Sequence, residues 1–192
     1  MRRAAGPARS RESGQASPLY IFVVGSLLFL ALALFAVGQA GATRNNAQSA
    51  ADAAALAAAR ESRDSVVLTE DMLVDLLDGV LVPPGTGCGE ASAFAQQNGA
   101  GVTGCGAATD GRWGSQVSVR SLDPVGQTIL PGTETRHATA TATAVVVPRC
   151  TAGDASEEDS EVPDSLDCDG ETVEVVPLPS MSDLFDIRLA EN

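Results

Sequence analysis

Few residues in this sequence are of a type and spacing that could do chemistry. The single histidine, His137, sits in "TRHATATATAVVV", and no G-x-S-x-G, H-E-x-x-H or P-loop pattern occurs anywhere. It reads as a surface strand histidine rather than a general base. The four cysteines, Cys88, Cys105, Cys150 and Cys168, include no two at the close spacing that zinc ligands need. "SLDCDGE" puts Ser165, Asp167, Asp169 and Gly170 in calcium-loop register, but Val176 then stands where the bidentate Glu is required. That stretch reads as a solvated acidic loop. No catalytic, cofactor-binding or metal site is expected, and the chain does not read as an enzyme.

The cysteines have another use. An even number in an oxidising compartment forms disulfides, and all four fall in the part of the chain expected outside the cell. Three pairings are formally possible. Cys88–Cys105 with Cys150–Cys168 is preferred, because each bond then closes a short loop within one segment.

The compartment follows from hydropathy and charge. From Leu19 to Val37, "LYIFVVGSLLFLALALFAV", no residue is charged, and about 20 apolar residues of helix match the hydrocarbon thickness of a bilayer. Arg2, Arg3, Arg9 and Arg11 precede this run, whereas the short stretch after it carries only Arg44. The positive-inside rule therefore puts the N-terminus in the cytoplasm and everything after about Gly38 outside. Cleavage of the run as a signal peptide at Ala40 to Ala42 is the competing reading; the run is longer than an ordinary signal-peptide core. The net charge is -13, with thirteen of the twenty-five acidic residues after Cys150. The only basic cluster is the short cytoplasmic flank, so a nucleic-acid partner is disfavoured.

These features sit on a simple order of elements. No proline occurs between Pro18 and Pro83, so the membrane helix is free to continue through "RNNAQSAADAAALAAAR", whose alanines favour helix without large side chains. Ala47, Ala51, Ala54, Ala55 and Ala58 form a smooth face, while Arg44, Gln48 and Asp52 step along another at i, i+4 spacing. "SVVLTEDMLVDLLDGVLVPP" predicts a short helix with Leu68, Met72, Leu76 and Val80 inward, and "EASAFAQQNGA" another, anchored by Phe94. "WGSQVSVRSL" and "TRHATATATAVVV" predict strands, the second with Ala138, Ala140, Ala142 and Ala144 on one side. An alanine-faced helix against an alanine-faced strand predicts one thin helix-on-sheet layer. Residues after Pro148 turn polar and acidic and predict a flexible tail tethered by Cys150 and Cys168, with "MSDLFDIRLAEN" docking weakly as a near-helical end.

The expected fold class is thus α+β. A long N-terminal helix, transmembrane in its first half and Ala-rich beyond, leads to a small extracytoplasmic pilin-like domain of short helices and an antiparallel sheet, with a disordered acidic region near the C-terminus. The divisions are a leader over 1–16, the helix over 17–63, the exterior domain over 64–150 and the acidic tail over 151–192.

One stretch also carries a family resemblance. The basic leader, "GQ" before a single apolar span, and above all "AQSAADAAALAAA" resemble the N-terminal region of the TadE/TadG-like proteins of Flp (Tad) pilus assembly. "FAQQNGAGVTGC", "VSVRS" and "PGTETRHATATATAVVVPRC" are similar to the exterior half of actinobacterial members. The resemblance implies a single-pass, non-enzymatic envelope protein, a structural or minor pilin-like assembly component of a pilus or related secretion system. Its signature positions are Gln48, Ala51, Asp52, Ala55 and Leu56. Implied partners are other pilin-like or Tad-system membrane proteins, through helix–helix packing, with no small-molecule substrate. Type IV-like prepilins are cut after a Gly and carry a Glu five residues into the mature chain. A cut between Gly14 and Gln15 would put Leu19 there, which favours a membrane-retained component over a major filament subunit. The alternative is a secreted or anchored envelope binding module unrelated to pili.

Overall fold

The computed structural model describes residues 16–126, 128, 131–152 and 163–190. Helix α1 runs unbroken over Ala16–Asp64, about 73 Å at 1.5 Å per residue. Pro18 lies in its first turn, where the missing N–H leaves nothing unsatisfied. The two halves of α1 live in different surroundings. Leu19, Phe22, Phe29 and Phe35 stand exposed in the first, which is long and apolar enough to cross a membrane. In the second, Ala50, Ala51, Ala54, Ala55, Ala58 and Ala59 are completely buried.

The rest of the described chain folds around that second half. After α2 (Glu70–Leu77) and α3 (Cys88–Gln97) come β1 (Ala100–Ala107), β2 (Gly114–Ser121) and β3 (Thr139–Pro148). Then follow β4 (Cys150–Ala152), β5 (Ser165–Cys168), β6 (Glu171–Glu174), α4 (Met181–Leu184) and β7 (Phe185–Leu189). An antiparallel sheet has the order β1-β2-β3-β7, and β4-β5-β6 form a second, smaller one. The class is α+β.

Register decides what the main sheet offers to α1. Val117 lies opposite Ala142 and Ser115 opposite Ala144, and these four are buried in or beside the core with the alanines of α1. Strand alternation sends Gln116, Ser118 and Arg120, with Thr143, Thr141 and Thr139, to the opposite face. There Gln116 donates to Thr143 Oγ1 at 3.2 Å and Ser118 shares a hydrogen bond with Thr141 at 2.8 Å. Small residues on both sides of the layer let backbones approach closely. A methyl group at Gly87 would collide with the carbonyl of Ala58, and one at Gly114 with the carbonyl of Ala144.

The C-terminal end of α1 carries the polar locks. Ser62 Oγ donates to the carbonyl of Gly85 and accepts from Trp113 Nε1 at 3.0 Å. Arg63 reaches the Phe185 carbonyl at 3.1 Å and pairs with Asp64 at 2.8 Å. Phe185 stands edge-on to Trp113, ring centroids 5.4 Å apart. Disulfides join Cys88 to Cys105, fastening α3 to β1, and Cys150 to Cys168, facing each other across β4 and β5.

Several expectations need correction. On α2 the buried side chains are Leu73, Leu76 and Leu77, at i, i+3, i+4, while Val80 lies beyond the helix and is 75% exposed. Phe94 does not anchor α3; Ala91 and Ala95 do, because only small residues fit so close to α1. β1 went unpredicted, since "AGVTGCGA" has glycines where a strand pattern needs apolar repeats. "SLDCDGE" is a β-hairpin whose two turn residues, Asp169 and Gly170, both have positive φ. Residues 163–190 do not hang as a flexible tail: Leu166, Val175, Leu184 and Phe185 are buried and β7 completes the main sheet. Enough apolar residues are interleaved with the acids to give this segment a core face.

Two outcomes follow. Ala54→Leu inserts side-chain volume between surfaces with no room for it and should cost about 1–3 kcal/mol in denaturant unfolding, whereas Ala40→Leu, exposed on the first half of α1, should leave unfolding of the domain unchanged. At the start of α4, the Asp183 carboxylate accepts from the hydroxyl and amide of Ser180 at 2.6 and 3.0 Å; those hydrogen bonds hold its pKa below the ordinary 3.8. Its contribution is therefore complete above that value and lost as pH falls through the lowered one, a loss that acid titration of Asp183→Asn should not show.

Candidate functional site

α1 is not enclosed on every side. Between residues 45 and 59 Leu56 is the only apolar residue larger than alanine, and it is half-exposed while the alanines around it are buried. Leu56 packs against the rim of the core and keeps part of its surface open, so it marks the border between the domain and the uncovered face of α1. Along that face an i, i+4 row runs through Arg44, Gln48, Asp52, Leu56, Arg60 and Asp64.

Two adjoining clefts lie on this face, one on either side of Ala57, Arg60 and Phe94. The first, about 340 Å³, is lined by Ala53, Leu56, Ala57, Arg60, Phe94 and Ile187. Phe94 comes from α3, Ile187 from β7, and Phe94 is 39% exposed. The second, about 470 Å³, adds Glu61, Asp64, Ser65 and Glu90. Together they make a groove along about three turns of α1, apolar at the end nearer the exposed apolar half of the helix and charged at the other. Arg60 pairs with Asp64 at 3.5 Å, and the Glu61 carboxylate accepts the Glu90 N–H at 2.7 Å. That second contact lets α1 cap the first turn of α3, where an anion also meets the positive end of the helix dipole.

The signature residues divide by role. Ala51 and Ala55 are inside the core and Leu56 is on the groove. Gln48 donates to Asp52 at 2.8 Å on the exposed row, a bond within the helix rather than to the domain. Gly14 and Gln15 lie outside the described residues. His137 is half-buried just before β3, with Nδ1 2.8 Å from the Ser121 carbonyl. Among the described residues no three His, Cys, Asp or Glu side chains converge as metal ligands. Phe94, Ile187 and the Glu61–Glu90 contact were missed from sequence; the lone Leu56 was the available signal.

The apolar span and the Ala-rich stretch are one helix, and that combined unit is what known proteins share. Residues 14–61 match the Flp pilus-assembly TadE/G-like family model. Over that quarter of its length the chain is similar to the TadE/G-like family. The TadE/G-like region ends three residues before α1 does, so it takes in the membrane-length half, the core alanines and Leu56. Among curated proteins and among solved structures, nothing matches.

Replacing Glu61 with Ala removes the cap from α3 and should lower domain stability by about 1 kcal/mol, measured by urea unfolding. Asp52→Asn, which alters only an exposed helix pair, should change it by less than about 0.5 kcal/mol.

Proposed function

We propose that this protein is a non-enzymatic, single-pass structural or assembly component, minor pilin-like, of a Flp/Tad-type pilus or related secretion system. The observation that carries this reading is the coincidence of the TadE/G-like match with a single helix that is apolar enough to cross a membrane and then becomes the core of a folded domain. In this reading the N-terminus is cytoplasmic and the domain extracytoplasmic, in keeping with the arginines of the leader and with both disulfides lying beyond the span. With Leu19 at the fifth place after Gly14, the protein stays in the membrane rather than packing as a major subunit.

Its partners are other membrane-anchored pilin-like chains, received in the groove of Leu56, Phe94 and Ile187. A helix anchored in the same bilayer must rise roughly parallel to α1, which is how the groove runs, and apolar anchors at i, i+3, i+4 suit its lower end. Glu61, Asp64 and Glu90 outnumber Arg60 at the upper end, so the entering helix carries a basic side chain there.

The test is co-expression with each Flp/Tad pilin-like chain of the producing cell, followed by purification from detergent-solubilised membranes. The native chain should retain one of them, and Ala53→Glu with Phe94→Glu, both on the cleft and outside the core, should lose it while keeping native thermal unfolding. Undiminished recovery with the double variant would remove the groove from the account. A domain found free of the membrane and of every such partner would turn the account to the envelope binding module.

A further inference from the structure

Past Asp64 the chain leaves α1 at the end farthest from the exposed apolar run, and there it builds a second surface. Val66 and Val67 follow α1 directly, Met72 comes from the first turn of α2, and Leu81, Pro83 and Pro84 lie on the return toward α3. They line a cleft of about 290 Å³ in which no lining residue is charged. Val67 is 82% exposed, and Val80 and Val82, on either side of Leu81 in sequence, are exposed as well. Single exposed valines are ordinary; several gathered about one apolar cleft mark a binding surface.

The walls of the cleft are fixed before anything enters. Val80 N–H and Leu81 N–H both donate to the Asp75 carbonyl at 2.9 Å, which turns the chain back after α2. Ser62 Oγ donates to the Gly85 carbonyl and ties the far side to α1. Between these anchors Pro83 and Pro84 hold φ and present no N–H. A partner therefore has little of this surface left to order.

Charge says what that partner is. From Ser65 to Gly89 there is no basic residue, while Glu70, Asp71, Asp75 and Asp78 are all exposed. None of the four is in an ion pair among the described residues. At about 100° per residue, Asp75 lies about 60° round α2 from Met72 and Asp71 about 100°, so the wall of the cleft passes directly into an acidic stripe. Glu70 and Asp71, in the first turn, suit the helix dipole; Asp75 in the last turn and Asp78 at the C-cap oppose it, and no basic residue of the last turn offsets them. A second copy does not bring the answering charge, because after Gly38 this chain has eight arginines against twenty-four acidic residues. Anionic lipid and nucleic acid are repelled for the same reason.

We infer that this cleft is a docking site for a basic segment of another polypeptide, with an apolar side chain seated between Met72 and Pro83–Pro84 and flanking Lys or Arg side chains on Asp71, Asp75 and Asp78. The cleft meets the groove of α1 only at Ser65 and does not depend on what that groove receives.

The full chain would be placed in phosphatidylcholine nanodiscs, with empty discs as the blank, and titrated by anisotropy against a fluorescein-labelled peptide in which Leu-Val is flanked on each side by two arginines. The peptide should bind saturably, and more weakly as salt rises. Asp75→Asn with Asp78→Asn should weaken it about fivefold without lowering the unfolding temperature, because both acids oppose the helix dipole. Val67→Asn, at an exposed side chain that lines the cleft, should weaken it by a similar factor. Binding that survives both variants, or that is as tight with Ser-Ser in place of Leu-Val, would be general attraction to an acidic surface and would overturn the site. Equal binding with glutamine in place of arginine would overturn the basic partner, and no saturable binding would overturn both.

Discussion

Everything in the folded part of this protein depends on how near α1 can come to its neighbours. Alanine has no rotamer freedom to lose and the least bulk of any residue with a Cβ, so a helix made of it stays helical and lets other backbones nearly touch. Ala58 and Gly87 are a contact of this kind, and Gly114 comes equally close to Ala144 between the neighbouring strands β2 and β3. The apolar area gained per residue is small, and the layer makes up for it by number and by tight fit. The larger apolar side chains, Leu73, Leu76, Leu166, Leu184 and Phe185, gather where α1 ends and the second sheet begins. There Ser62, Arg63 and Trp113 fix orientation through hydrogen bonds that alanine cannot supply.

This arrangement removes the distinction between anchor and domain. The stretch of helix that resembles the TadE/G-like family is the central element of the fold, with α3 and the sheet laid on it, and the open side is what remains once those two have taken their places. A family signature made almost wholly of alanine is intelligible on these terms. Its small residues satisfy the inside, and the few that are not small stand toward the open side, Gln48 exposed and Asp52 and Leu56 half-buried at its edge.

Much of the fold could be read in the sequence wherever one periodicity dominated. The apolar run, the alanine run and the absence of proline define α1, and the Thr/Ala alternation defines β3. Legibility failed where small residues stood in for large ones. β1 has the same function in the sheet as β2, yet its glycines hide the alternation. Phe94 looked like a core residue because it is aromatic, although the space beside α1 admitted only Ala91 and Ala95. The acidic C-terminal region misled for another reason: charge dominated its composition, while single apolar residues such as Leu166 and Phe185 were enough to tie it down. The groove combines parts of α1, α3 and β7 that are distant in sequence, and only Leu56 hinted at it.

The continuity of α1 has a mechanical side. Helix α1 runs unbroken to Asp64 with no proline after Pro18. Above the Gly25–Ser26 pair, a place where helices can bend, it is therefore one continuous rod, and its upper turns are gripped by α3, the sheet and the contacts of Ser62 and Arg63. It behaves as a shaft set in a hub. Torque or axial load applied above that pair reaches the domain through continuous hydrogen-bonded helix, and a push on the domain is returned to the lower half in the same way. A chain built like this transmits displacement between its two environments as a rigid lever would.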